Sequence, residues 1–201
     1  MHLNKVTVEH IKLFSANTLN LCIDDVPLCA YITEKTQEDY NNLSLAWLSL
    51  YDALSEHYIN TLIVHEIDGN VPILVCPDDL DLVCTVVVAT IRYQAEQVYW
   101  DKIGLVQSYE LGTLSLQESN LRSLSHWSEC YDLAKLTECD QIWQHWQVKC
   151  KSEEDSYSIW SGLHLALNND ENIKWFNISP LVFDKNNYQQ CVQQVLAFEK
   201  C

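Results

Sequence analysis

The residues best suited to chemistry are Arg122 and His126, which lie four positions apart and would share one face of a helix. An imidazole titrates near neutral pH, and beside a fixed cation it can serve the acid–base cleavage of RNA. The alternative interpretation is a surface arginine and an interfacial histidine on an ordinary helix. We therefore assign Arg122 and His126 to an alternative, catalytic function and predict no catalytic residue for the preferred function.

The segment Tyr99–Gly104, with the sequence YWDKIG, precedes this pair and is predicted to lie late in a long helix. This order, with Arg and His following, resembles HEPN-type helical domains over about residues 36–130, and some of those domains are ribonucleases. The resemblance implies catalytic roles for Arg122 and His126. In that family more residues usually separate the Arg from the His, and an Asn often follows the Arg. Here three residues intervene and Ser123 follows, which makes an inactive relative the alternative.

A zinc site is a second candidate for chemistry, because thiolate and imidazole ligands suit that metal. The residues that could form it are His126, Cys130, Cys139, His145 and Cys150. Their spacings match no standard zinc module, and scattered cysteines are typical of small buried apolar residues. The first ten residues lack a basic segment followed by an apolar run, which indicates a cytoplasmic protein with reduced cysteines. We predict no metal and no cofactor.

The composition argues against several classes of partner. The 201 residues include 12 Lys and Arg against 28 Asp and Glu, a formal net charge of −16. Nucleic acids and anionic membranes attract clusters of basic residues, which this chain lacks. Its four glycines are isolated, so the sequence contains no glycine-rich phosphate-binding loop. We therefore expect no direct binding of nucleic acid and no association with a membrane.

The negative charge is concentrated in residues 36–160, and residues 36–68 hold six acidic residues and no basic one. Tryptophan and tyrosine anchor protein interfaces, and acidic neighbours select a basic partner. Core packing is the alternative role for these tryptophans. We predict a protein that neutralises a basic partner, such as an immunity protein or antitoxin that inhibits a nuclease toxin; a helical adaptor is a further alternative. The predicted partner-binding residues are Asp52, Glu56, Trp127, Glu129, Asp132, Glu138, Asp140, Trp146, Glu153, Glu154 and Asp155.

The elements that must position these residues are predicted to be helices over about 37–66, 78–106, 119–150, 156–167 and 186–200, with Thr36 as the first N-cap. Two features favour strands instead. Thr85–Val88 is β-branched, and Asp68-Gly69 could join Thr61–Ile67 to Val71–Cys76 as a hairpin, with Pro72 tolerated on an edge.

We predict a mainly α protein, a single-domain helical bundle over residues 1–201. Residues 1–35 would be an N-terminal arm or short strands on the helical body, and an α+β fold with a hairpin or short sheet is the alternative.

Overall fold

The fold is known from a computed structural model, which describes residues 2–13, 16–48, 59–60, 62–78, 85–107, 167 and 170–198. Within these residues nine strands form two antiparallel sheets, and the helices are short. The prediction of a mainly α helical bundle is therefore wrong, and the alternative with one small hairpin is wrong as well, because sheet is the main element. The single domain over residues 1–201 stays a prediction.

The smaller sheet and one helix come from the N-terminal part of the chain. Its strands are β1 (Val6–Leu13), β2 (Ala16–Ile23) and β3 (Val26–Pro27), in that order, and α1 (Leu28–Thr36) follows directly. Asp24 and Asp25 form the two-residue turn between β2 and β3, with φ of 51° and 67°. Positive φ at both positions is what such a hairpin turn requires, and aspartate tolerates it better than most residues.

The larger sheet contains the remaining strands. They are β4 (Ser44–Leu45), β5 (Gly69–Val75), β6 (Val86–Tyr93), β7 (Gln97–Val106), β8 (Ile173–Trp175) and β9 (Leu181–Asp184). The first five lie side by side in chain order, and β9 pairs with the first part of β7. The last helix, α2 (Lys185–Leu196), starts where β9 ends and packs against β1.

The helix predicted over about 78–106 is wrong in its described part, which forms β6 and β7. Of the helix predicted over about 37–66, residues 59–60 and 62–64 are helical, whereas Ser44–Leu45 form β4. Strands β5 and β6 lie in the middle of the sheet, and most of their side chains are buried. Such strands are continuous apolar runs without alternation, so their periodicity does not distinguish them from a buried helix. The β-branched run Thr85–Val88 was the better signal, since Val86–Val88 begin β6.

The expected helix start at Thr36 is also wrong, because Thr36 ends α1 and Gln37 adopts a left-handed conformation with φ of 61°. The Thr36 hydroxyl donates to the Ile32 carbonyl at 2.8 Å instead of capping a following helix. A hydroxyl residue followed by carboxylates is compatible with either end of a helix. Packing of α1 on the smaller sheet decides between them.

The alternative hairpin across Asp68-Gly69 does not form either. Residues 59–60 and 62–64 are helical, and β5 pairs with β4 and β6. Pro72 lies in this interior strand, where the pairing with β6 shifts register between Pro72 and Leu74. A proline has no N–H to donate, and a bulge is the place where an interior strand accommodates it. The Pro72 carbonyl accepts a bond from Trp47 Nε1 at 2.8 Å.

Candidate functional site

A groove of about 180 Å³ lies between α2 and the helical residues before β5, and we call it the α2 groove. Its lining residues are Ile63, Val64, Glu66, Tyr93, Tyr188, Gln189, Val192, Gln193 and Leu196. These residues come from three distant parts of the sequence. Val192 and Leu196 are four positions apart, so they lie on one side of α2 and form one apolar wall. Ile63 and Val64 form the other.

The rim of the groove is set by how the helical residues end. Ile67 N–H donates to the Leu62 carbonyl at 2.9 Å, while Glu66 has a left-handed φ of 54°. This is the Schellman arrangement, in which glycine is the usual left-handed residue. Ile67 and Leu62 are both buried, as expected for the apolar contact of this motif. The chain therefore holds a glutamate at a position that favours glycine.

The side chain of Glu66 is tied to α2. Its carboxylate pairs with Lys185 Nζ at 2.6 Å, and it also accepts a hydrogen bond from Gln189 Nε2. Both partners of the ion pair are largely shielded from water, unlike most ion pairs of this protein. These contacts connect the two walls of the α2 groove across its rim.

Tyr188 joins the groove floor to the hydrophobic core. Its hydroxyl accepts a bond from Trp100 Nε1 at 3.2 Å, and its ring meets those of Trp47, Trp100, Phe183 and Tyr93 at centroid distances between 5.7 and 6.4 Å. The contacts with Trp47, Trp100 and Tyr93 are edge-on, a favoured geometry of aromatic rings. Burial raises the pKa of Tyr188 well above its usual value, so the hydroxyl stays protonated. The groove floor is a rigid part of the core.

Tyr93 is the second floor residue. Its hydroxyl oxygen is buried and interacts with the hydroxyl of Tyr188. Burial raises the pKa of Tyr93 above its usual value, and the charges of Glu66 and Asp68 raise it further. The hydroxyl therefore stays neutral and can donate or accept a hydrogen bond.

Carboxylates surround this end of the larger sheet. Asp68 Oδ1 accepts a bond from the Tyr93 N–H at 2.7 Å, and the Glu96 carbonyl accepts one from the Lys185 N–H at 3.1 Å. Both Asp68 and Glu96 are exposed, and no described lysine or arginine lies within ion-pair distance of their carboxylates. This end of the larger sheet thus carries exposed carboxylates.

The lysine and arginine side chains of the described region all form ion pairs. Every lysine or arginine whose side chain is described has a carboxylate within 4.0 Å; these residues are Lys5, Lys35, Arg92, Lys102, Lys174 and Lys185. Arg92 makes two bonds to Asp101, at 2.9 and 3.0 Å, and stacks over Tyr99. A binding surface for phosphate needs cations that are available to it. The described surface offers none.

The described residues contain no arrangement that points to catalysis. They hold no group of three His, Cys, Asp or Glu residues able to bind a metal. The described cysteines Cys22, Cys29, Cys76 and Cys191 are free thiols. Burial raises the pKa of Cys22 to about 12, with a smaller contribution from Glu9, and a thiol in that state is a poor nucleophile.

The predicted site residues lie outside the described residues. This holds for Arg122 and His126, for the zinc candidates, and for all the partner-binding residues from Asp52 to Asp155. The Tyr99–Gly104 segment is described, and it lies on β7 instead of a long helix. The resemblance to HEPN-type helical domains therefore loses the helix on which it rested.

Sequence reasoning did not predict the residues of the α2 groove, because they come from three separate segments and no single segment carries a recognisable pattern for the groove. The apolar spacing of Tyr188, Val192 and Val195 predicts a helix, but it does not show which part of the apolar stripe stays uncovered. Comparisons with protein-family models, curated proteins and solved structures find no match to this chain. Among the described residues, no helix is long and apolar enough to cross a membrane.

Proposed function

We propose that this chain is a cytoplasmic protein-binding protein that neutralises a basic partner, such as a nuclease toxin. One observation carries the proposal: each described lysine and arginine side chain already pairs with a carboxylate of the same chain, while further carboxylates remain exposed. Among the described residues, acidic side chains thus outnumber basic ones, and several of their carboxylates are exposed at the surface. Such a surface attracts a basic protein and repels nucleic acid.

The α2 groove adds a place where such a partner would make apolar contacts in addition to electrostatic ones. Electrostatic attraction mainly raises the association rate, whereas affinity depends on buried contacts in the centre of an interface. A groove with apolar walls beside exposed carboxylates combines the two. An inhibitor of this kind needs no catalytic group of its own.

The test is affinity capture with the full chain from its source cells, followed by binding measurements on the purified partner. We expect a partner with a net positive charge, an affinity that falls at least about tenfold between 50 and 300 mM salt, and loss of the partner's activity on addition of this chain.

Binding that is indifferent to salt, or a partner without a basic surface, contradicts the proposal. So does cleavage of RNA by the purified chain that is abolished in the variant His126→Ala. The same variant without any effect on partner binding separates the two functions.

A further inference from the structure

A buried asparagine lies between the smaller sheet and α1, next to two of the described cysteines. Asn20 and Cys22 are two positions apart on β2, so their side chains are on the same face of the sheet. Cys29 belongs to the first turn of α1, and its sulfur accepts a hydrogen bond from Asn20 Nδ2 at 3.3 Å. Cys29 therefore lies over the face of β2 that carries Cys22.

The backbone brings these two cysteines together. Cys22 is the partner of Pro27 in the pairing of β2 with β3, and Cys29 follows Pro27 by two residues. The pKa of the Cys22 thiol is raised to about 12, mainly by burial, then by Glu9 and by the neighbouring Cys29 thiol. Both cysteines are free thiols. The fold thus holds two thiols side by side that are eight residues apart or less along the chain, counting both ends.

The two thiols differ in their access to solvent. Cys22 has no exposed surface, whereas Cys29 is 6% exposed, so a small oxidant reaches Cys29 first. The thiol of Cys22 stays protonated, which makes it the second of the two to react.

The remaining half of the Asn20 amide points to what happens at Cys29. Asn20 is 1% exposed, and its Oδ1 has no hydrogen-bond partner among the described residues. A buried polar atom without a partner calls for an explanation, and a redox role is one of those known. Oδ1 belongs to the same amide group as the nitrogen that donates to the Cys29 sulfur. An S–OH group on Cys29 would bring a hydrogen-bond donor to this free acceptor.

We propose that Cys22 and Cys29 are a redox pair, which hydrogen peroxide oxidises to a disulfide that links β2 to α1. In the first step the Cys29 sulfur attacks one peroxide oxygen, the O–O bond breaks, and water leaves, giving a sulfenic acid on Cys29. In the second step the Cys22 sulfur attacks the Cys29 sulfur, and the hydroxyl leaves as water with the Cys22 proton. The two thiols lose two electrons and two protons, and the peroxide becomes two molecules of water. Because the second step is intramolecular, a weakly nucleophilic thiol suffices.

Peptide mapping of the full chain tests the proposal directly. Residues 13–35 form one tryptic peptide, which contains Cys22 and Cys29 and no other cysteine. The folded, reduced chain is treated with an equimolar amount of hydrogen peroxide, and the remaining thiols are alkylated before digestion. We expect this peptide to lose two hydrogen atoms, to escape alkylation, and to take up two alkyl groups after reduction with dithiothreitol. The oxidised chain should also unfold at a higher urea concentration, because the disulfide closes a loop in the unfolded chain.

Three variants test the separate roles. Cys22→Ser should abolish the disulfide and leave a sulfenic acid on Cys29, which dimedone labels. Asn20→Ala should slow formation of the disulfide at least about threefold, because it removes the hydrogen bond that positions the Cys29 sulfur. In the Cys22→Ser background, Asn20→Ala should also shorten the lifetime of the sulfenic acid. Cys191→Ser changes a thiol on α2 of similar burial and should leave the rate within about twofold, as expected for independent sites.

Three outcomes would overturn the redox pair. The first is full alkylation of both Cys22 and Cys29 after the peroxide treatment. The second is a disulfide that forms as fast in the urea-unfolded chain as in the folded one, since the fold would then not position the thiols. The third is preferential cross-linking of Cys29 to another cysteine. The inference does not rest on the proposed function, and none of these measurements involves a partner.

Discussion

Two places in the described part of this protein combine a left-handed backbone with a lysine–carboxylate pair, and their surroundings differ. At the turn between β2 and β3, Asp24 and Asp25 have positive φ, and Asp25 pairs with Lys5 at 2.6 Å. At the rim of the α2 groove, Glu66 has positive φ and pairs with Lys185, also at 2.6 Å. The same devices therefore occur on both sheets.

The surroundings differ. The side chains of Lys5 and Asp25 are 57% and 66% exposed, whereas those of Lys185 and Glu66 are 21% and 28% exposed. Asp24 satisfies the Lys5 N–H at 2.7 Å and Asn4 Nδ2 at 2.8 Å, so the turn uses its carboxylate for local structure.

The rim places glutamate where glycine is favoured, beside the α2 groove. An unfavourable backbone conformation kept at such a place is an argument for function. At the turn, the hydrogen bonds and ion pair of the aspartates explain why carboxylates occupy left-handed positions. At the rim, the ion pair and hydrogen bond of Glu66 do not fully explain why glutamate stands there instead of glycine.

The variant with the largest expected effect tests whether the floor of the α2 groove belongs to the hydrophobic core. The turn between β2 and β3 lies outside the core. Tyr188→Ala should lower the free energy of unfolding by about 3–5 kcal/mol, because it leaves a cavity among packed aromatic rings. Tyr188→Phe keeps the ring but leaves Trp100 Nε1 unpaired, and should cost about 1–2 kcal/mol. Urea unfolding followed by tryptophan fluorescence measures both. Equal costs for the two variants would contradict a packed floor.

A smaller effect tests the structural role of the turn. Asp24→Ala removes two hydrogen bonds and places alanine at positive φ, so it should cost about 1–2 kcal/mol. Asp24→Asn keeps a residue that tolerates this conformation and should cost less. Urea unfolding of the two variants measures the difference, and no difference between them would show that the backbone conformation carries no cost there.

At the rim, a second pair of variants measures the cost of the left-handed backbone in a more buried setting. Glu66→Gly loses the ion pair but relieves the left-handed backbone, whereas Glu66→Ala loses the ion pair and keeps the strain. Glu66→Gly should therefore be more stable than Glu66→Ala by about 1 kcal/mol. Thermal unfolding of the pair at equal protein concentration measures this. Equal stability would show that the Schellman geometry does not persist in the variants.

The smallest effect concerns pH and the exposed pair at the turn. The hydrogen bond and charge of Asp25 raise the pKa of Lys5 above its usual 10.5. The pair therefore contributes in full below the unfolded pKa, and its contribution is lost as pH rises through the higher folded pKa. The difference in unfolding midpoint between the native chain and Asp25→Asn should shrink from about pH 9 to about pH 11.5. A constant difference would contradict it.

Sequence reasoning succeeded where local signals agree with the environment. The closing helix, predicted over 186–200, is confirmed in its described part as α2, where the Asp184 side chain accepts the Asn187 N–H at 2.9 Å. It failed for β6, which lies inside the helix predicted over about 78–106, because the burial of most of its side chains removes the alternation by which a strand is recognised. The positions called helical there matched 3- and 4-residue steps because nearly every position is apolar.

The sequence by itself determined the excess of carboxylates over cations, because charge follows from composition alone, and it determined the last helix, because a cap and an apolar stripe act within one segment. Only the tertiary structure decided that β5, β6 and β7 are strands, since each strand depends on neighbours distant in sequence. The same is true of the α2 groove, which exists because strand pairing and helix packing bring Val64, Tyr93 and Val192 together.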